Sequence, residues 1–226
     1  MTAGRRPRAT HPGLRMRNLT SEIFDSCNLV VNQPEEGYRY GAPTIVLAEF
    51  ASVGRGLRAV ELGSGCGVIS MVLAARCNPA AVVAVEIQRG LHEIAIRNVR
   101  ANSLEGVVGC VNADYRDFAR KHRAKFDAAI ANPPFYASGR GRVPSDPERA
   151  AAHHEMNGTL RDLIDAASLI LVPGGKFTIV FPDSRRIELM EEASRRGFEA
   201  RRIARGGGPG SKDALFLVEF VSPAGL

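Results

Sequence analysis

Asn132-Pro133-Pro134-Phe135 is the stretch of this chain whose side chains could do the most specific chemistry. It follows an apolar run, Phe126 to Ala131, that reads as a buried strand. An Asn side-chain oxygen and a backbone carbonyl can together accept both hydrogens of an amino group. This helps a nitrogen whose lone pair is delocalised into a ring or an amide, because such a nitrogen is a poor nucleophile. Accepting both hydrogens draws it towards sp³ geometry and aims its lone pair at an electrophile. Pro133 and Pro134 stiffen the loop and fix φ, so that the Pro133 carbonyl points one way. Phe135 can stack on a flat substrate. No strong base is required, since the nitrogen becomes acidic once alkylated and can lose its proton late. Positioning and electrostatics would carry the catalysis. The alternative is a rigid turn with no chemistry.

The second constellation lies upstream. Glu61-Leu62-Gly63-Ser64-Gly65-Cys66-Gly67 follows a short aliphatic run, Leu57 to Leu62, and opens a helix expected from about Cys66 to Cys77. The glycines permit a tight turn and close approach of a ligand to the main chain. The helix start offers N–H groups to polar ligand atoms. The Glu61 carboxylate would repel a phosphate and attract a cation, which points to a ligand carrying an ammonium or sulfonium group. Further acids stand at the ends of the next two expected strands. Glu86, before Ile87, can accept both hydroxyls of a ribose. Asp114 can accept from an adenine amino group. Their plainer readings are a surface carboxylate and a helix cap for Tyr115 onward.

The pattern acid-x-Gly-x-Gly-x-Gly resembles the first motif of class I S-adenosylmethionine-dependent methyltransferases, and Asn-Pro-Pro-Phe resembles the motif of those acting on planar nitrogens: adenine N6, guanine N2 and glutamine N5. The resemblance implies S-adenosyl-L-methionine as cofactor, held by Glu61, Gly63, Ser64, Gly65, Gly67, Glu86, Ile87, Asp114 and Asn132. It implies catalysis by Asn132, Pro133, Pro134 and Phe135, and no metal. Within the group the chain is most similar to the tRNA (valine) adenine-N6 methyltransferases. The shared features are Gln33-x-x-x-Gly37-Tyr38-Arg39-Tyr40, the Ser145-to-Arg149 string, Ala152-His153-His154-Glu155 and Leu171-to-Phe177 with the C-terminal hairpin. Similarity spans residues 26 to 221. Two positions depart: Pro43 where the family has Asp, and His153 where it has Arg.

Stepwise alternation of strands and helices positions these residues. The expected strands are Leu57–Leu62, Ala81–Glu86, Val107–Asn112, Phe126–Ala131, Lys176–Phe181, Glu199–Ala204 and Ala214–Val221. The expected helices are Cys66–Cys77, Gln88–Asn102, Arg149–Leu171 with a break at Gly158, and Ser184–Arg196. The fold class is α/β, a Rossmann-like seven-stranded sheet, mainly parallel, with an antiparallel C-terminal hairpin. Ligands then gather at the carboxyl ends of the strands. Ahead of this core, Leu29–Val31 and Tyr38–Tyr40 flank a Pro/Gly turn and read as a hairpin, followed by a helix begun by Pro43. Residues 1–19 read as a basic disordered arm, and residues 20–226 as a single domain.

Composition sets the outer limits. The 226 residues are 45% hydrophobic and 24% charged, which suits one globular domain with a full core. No apolar run is long enough to span a membrane, and the Arg-rich start is not a secretory signal. The cysteines at 27, 66, 77 and 110 show no CxxC spacing, so zinc is not expected and a reducing cytoplasmic setting is. Net charge is +6, and only four of the 30 basic residues are Lys. An arginine excess suits a nucleic-acid partner, tRNA by the resemblance, although a GC-rich genome also inflates Arg. Arg140, Arg142 and Arg149 are candidates for phosphate contacts. His153 and His154 are expected to be polar residues near the substrate rather than a base. The Gly206–Gly210 run reads as a flexible turn.

Three rivals share these motifs in part. A release-factor glutamine-N5 methyltransferase would carry an N-terminal helical domain and Tyr at the last motif position. A guanine-N2 ribosomal RNA methyltransferase would carry a duplicated N-terminal domain. A non-catalytic RNA-binding scaffold would have no need to keep Glu61, Gly63, Gly65, Gly67 and Asn132.

Overall fold

Strand β3 (Arg58–Leu62), which leads into the glycine turn, lies inside a seven-stranded sheet, third from one edge. The structure is a computed structural model that describes residues 19–24, 27–35, 39–133, 158–206 and 214–224. In chain order the other elements are β1 (Leu19–Phe24), β2 (Leu29–Pro34), α1 (Ala42–Phe50), α2 (Val68–Cys77), β4 (Ala81–Glu86), α3 (Arg89–Ala101), β5 (Val108–Asn112), α4 (Tyr115–Lys121), β6 (Phe126–Ala131), α5 (Leu160–Ile170), β7 (Leu171–Pro182), α6 (Arg186–Arg195), β8 (Glu199–Gly206) and β9 (Leu215–Val221).

The sheet order is β5-β4-β3-β6-β7-β9-β8. The pairs from β5 through β7 are parallel, and β9 runs antiparallel between β7 and β8. This is the expected Rossmann-like sheet with its antiparallel end. The strands are aliphatic because both faces are covered. One face packs Val60, Leu62, Ala129 and Phe177 against α4, α5 and α6. The other packs Ala59, Val82 and Ile130 against α1, α2 and α3. The cysteines at 27, 66, 77 and 110 form no disulfide with one another. Among the described residues no helix is long and apolar enough to cross a membrane.

Four local expectations are corrected. The hairpin forms between β1 and β2, with Leu19 opposite Pro34 and Phe24 opposite Leu29, so the partner of Leu29–Val31 lies upstream. Arg39 and Tyr40 are not in a strand. Arg39 instead reaches back to Glu22, Thr20 and the Pro34 carbonyl, which takes the place of ladder bonds. A helix missing from the expected order, α4, follows β5, because Asp114 caps it by accepting from Arg116 N at 2.8 Å. Helix α2 begins at Val68 rather than Cys66, since Gly67 is left-handed at φ 80°. Strand β7 continues through Pro173–Gly175, the expected turn, as an irregularity in its pairing with β6.

The hairpin is fastened to the core by two asparagines one helical turn apart. Asn102 Oδ1 accepts from Val30 N at 2.8 Å, and its Nδ2 donates to Val30 O at 2.7 Å. Asn98 Oδ1 accepts from Asn32 N, and its Nδ2 donates to Asn32 O and to Cys66 O. Spacing of four residues on α3 thus matches spacing of two on β2, and the side-chain amides stand in for a third strand. The bond to Cys66 ties the hairpin to the glycine turn.

Candidate active site

Between β3 and β6 the strand order reverses, which opens a crevice at their carboxyl ends. The register sets Glu61 opposite Ile130, so the glycine turn after β3 and Asn132 after β6 emerge side by side. The two constellations, 65 residues apart by number from Gly67 to Asn132, are thereby brought to one edge of the sheet.

The turn is held from within. Gly63 N and Ser64 N both donate to Val85 O, and Gly67 N donates to Ser64 O at 2.9 Å. Gly65 N donates to Glu86 Oε2 at 2.8 Å. The N–H groups expected to meet a ligand are largely used by the protein, which leaves no phosphate cradle. Gly63 needs to be glycine for its φ of +80°, and the space where a Cβ would point is open for 4 Å. At Gly67 a Cβ would meet Ala95 Cβ at 3.2 Å, so that glycine lets α2 and α3 approach.

Glu61 is buried at 2% exposure. Its Oε2 accepts from Ser70 N at 2.9 Å and from Ser70 Oγ at 2.6 Å. Burial pushes the carboxyl up to about 8, against the Ser70 bonds, and the Glu86 charge adds to the rise. Ser70, in the first turn of α2, had no motif to mark it in the sequence.

Glu86 is also buried. Its Oε1 accepts from Gln88 N at 2.8 Å, so the carboxylate spans the turn after β3 and the turn after β4. Ile87, 40% exposed, offers apolar surface beside it. Asn112 Nδ2 donates to the Glu86 and Ile87 carbonyls and fixes that turn. Asp114 combines its cap with side-chain bonds to Arg116. Partial burial works against its charge, but the Arg116 bonds and charge outweigh it and hold the carboxyl below its usual range.

Asn132 Nδ2 donates to Thr44 Oγ1 of α1 at 3.0 Å. Pro133 follows it. Pro134, Phe135, Arg140, Arg142, Arg149, His153, His154 and most of the Gly206–Gly210 run lie outside the described residues. The chain re-enters at Gly158, where a Cβ would collide with the Tyr115 hydroxyl. Thr159 and Asp162 then form a capping box that starts α5.

The residues present fit S-adenosylmethionine. The open space over Gly63 leaves room against the main chain. Two buried polar atoms, Ser64 Oγ in the glycine turn and Gln88 Oε1 beside Glu86, have no partner among the described residues, and such atoms call for one. An acidic side chain, rather than a phosphate cradle, stands near the end of each of the first two parallel strands.

Residues 42–200 match the methyltransferase small domain family. The chain is 27% identical over 184 residues to the tRNA1(Val) (adenine(37)-N6)-methyltransferase of Bacteroides fragilis, covering 80% of this chain and 76% of that protein. It is 29% identical over 164 residues to the enzyme of the same name from Erwinia tasmaniensis, covering 72% and 66%. The solved structure of Pyrococcus horikoshii TYW2 in complex with MeSAdo superposes with a TM-score of 0.64 at 15% identity, covering 91% of this chain and 72% of that one.

Proposed function

This chain belongs to the methyltransferase small domain family, and from that premise we propose that it transfers a methyl group from S-adenosylmethionine to the N6 amino group of an adenine in tRNA. The observation that carries the proposal is the Asn132 amide at the switch point of the sheet, beside the glycine turn, with its Nδ2 engaged by Thr44. With Nδ2 occupied, Oδ1 is the edge left to face a substrate. An acceptor there suits an amino group, which has only hydrogens to give.

When bound, the cofactor supplies an electrophilic methyl group on a positively charged sulfur. Glu86 receives the ribose hydroxyls, alongside its bonds to Gly65 and Gln88. Ser64 Oγ and Gln88 Oε1 find partners among the cofactor's polar atoms. Ile87 covers one face of the adenine ring, and Asp114 lies near its amino group. Gly63 lets the cofactor approach the main chain, and Glu61 keeps α2 and the turn in register through Ser70. Asn132 Oδ1 and the Pro133 carbonyl accept the two hydrogens of the substrate amino group, and Phe135 stacks on the substrate base. The base must leave its stack to reach them. The net charge of +6 and the tRNA substrates named for the relatives support tRNA over a protein substrate, and the setting that follows is the cytoplasm.

The test is transfer from labelled S-adenosylmethionine to unmodified tRNA, ribosomal RNA and release factor in parallel, read by nucleoside and peptide mass spectrometry. N6-methyladenosine in tRNA is the expected product. N2-methylguanosine or methylglutamine would move the substrate while keeping the Asn132 chemistry. No transfer and no cofactor binding would leave a scaffold.

A further inference from the structure

We infer that Thr44 is a positioning residue: its hydroxyl anchors the Asn132 side chain by accepting from Nδ2, which leaves Oδ1 to face an amino group. The inference rests on the proposed role of Asn132.

A free asparagine amide has two orientations related by a half-turn about its last torsion. One presents an oxygen to the substrate and the other presents an NH2 group. The second faces hydrogens with hydrogens and cannot bind an amino group. Little inside the tetrapeptide chooses between them, since two prolines supply no N–H to engage the amide oxygen. The partner that engages the NH2 edge comes from a distant segment, with Thr44 Oγ1 3.0 Å from Asn132 Nδ2 and 88 residues away in sequence.

Thr44 is itself held in place. It is 3% exposed and sits in the first turn of α1, with its N–H donated to Gly41 O at 3.0 Å. Leu47, on the next turn, is buried in the core. The far end of α1 is tied down by Ser52 N donating to Glu219 Oε2 at 3.0 Å, by Arg76 to Glu49 at 2.8 Å, and by the Arg202 guanidinium 4.4 Å from the Phe50 ring centroid. Burial on a helix fastened at both ends leaves the Thr44 side chain little room to turn. The hydroxyl is therefore a fixed point against which the amide is set. A reacting group held by packed neighbours in this way keeps its productive geometry.

The experiment compares Thr44→Val, Thr44→Ser and wild type as the full chain, in single-turnover methyl transfer to tRNA, with cofactor affinity by calorimetry and melting temperature alongside. Thr44→Val keeps the shape and removes the partner. It should slow transfer about 10- to 100-fold, on the scale that a small misplacement of a reacting group costs, with cofactor affinity and melting nearly unchanged. Thr44→Ser should recover most of the rate. Wild-type transfer in Thr44→Val, or equal loss in Thr44→Ser, overturns the inference. If Thr44→Val does not fold, Thr44→Ala against Thr44→Ser makes the same comparison and is read the same way. Failure of wild type to methylate any acceptor sinks the proposed function instead, so the two failures are distinct.

Discussion

The Glu86 carboxylate accepts a hydrogen bond from Gly65 N–H at 2.8 Å, so the acid that ends β4 braces the glycine turn that ends β3. Under the proposed function, one side chain serves both the scaffold of the cofactor site and its binding surface. Glu86→Ala leaves Gly65 N–H and Gln88 N–H without their acceptor. It should weaken S-adenosylmethionine binding by roughly tenfold or more, since a hydrogen bond to a charged group contributes about 1.5–3 kcal/mol. Calorimetry reads this directly, and unchanged affinity would remove Glu86 from the cofactor site.

Asn132→Ala tests the reacting end. The side chain makes one hydrogen bond to the protein among the described residues, to Thr44, so its loss should cost only about 1 kcal/mol of stability. Turnover should fall by roughly 100- to 1,000-fold, as when a preorganised polar group facing the reaction is removed. Labelled transfer paired with a thermal melt separates the two effects. Near-wild-type turnover would show that the nitrogen is activated by some other group.

Glu61 predicts a pH dependence of stability. An ordinary Glu titrates near 4.5, whereas burial pushes Glu61 up to about 8 in the folded protein. Between those values the native state keeps a proton that the unfolded state has lost. The contribution to stability is therefore full below about 4.5, falls as pH rises towards about 8, and is level above that. Denaturant melts across this range should show a slope that Glu61→Gln flattens. The same slope in both proteins would mean that Glu61 ionises normally.

Asn98 predicts how the hairpin is held. Asn98→Ala removes the acceptor for Asn32 N–H and the donor to Asn32 O and Cys66 O. It should destabilise the protein by on the order of 3 kcal/mol, as loss of a buried network does. Hydrogen exchange should quicken at Asn32 more than at Val60 in the interior strand β3. Equal protection in the variant would show that the β1–β2 pairing alone secures β2.

The sequence by itself determined the alternation of strands and helices, the glycine turn with its acid, and the tetrapeptide after β6. These were legible because each depends on local chemistry: aliphatic runs buried on both faces, glycine where φ is positive, and proline where φ is fixed. Helix α4 does not show in the sequence, although Asp114 reads as a cap, since at seven residues, Tyr115–Lys121, it is too short to show a clear period. The β1–β2 pairing was missed because Arg39 and Tyr40 look like strand residues, and only the contacts to Glu22 reveal their other use. Tertiary structure alone decided which distant polar groups meet. Ser70 turns Glu61 inward, Asn98 and Asn102 hold β2, and Thr44 meets Asn132. Each of these partners is a common polar residue without a motif. A side-chain hydrogen bond needs its two groups within about 3 Å, and that closeness exists only once the strand order has folded distant segments together.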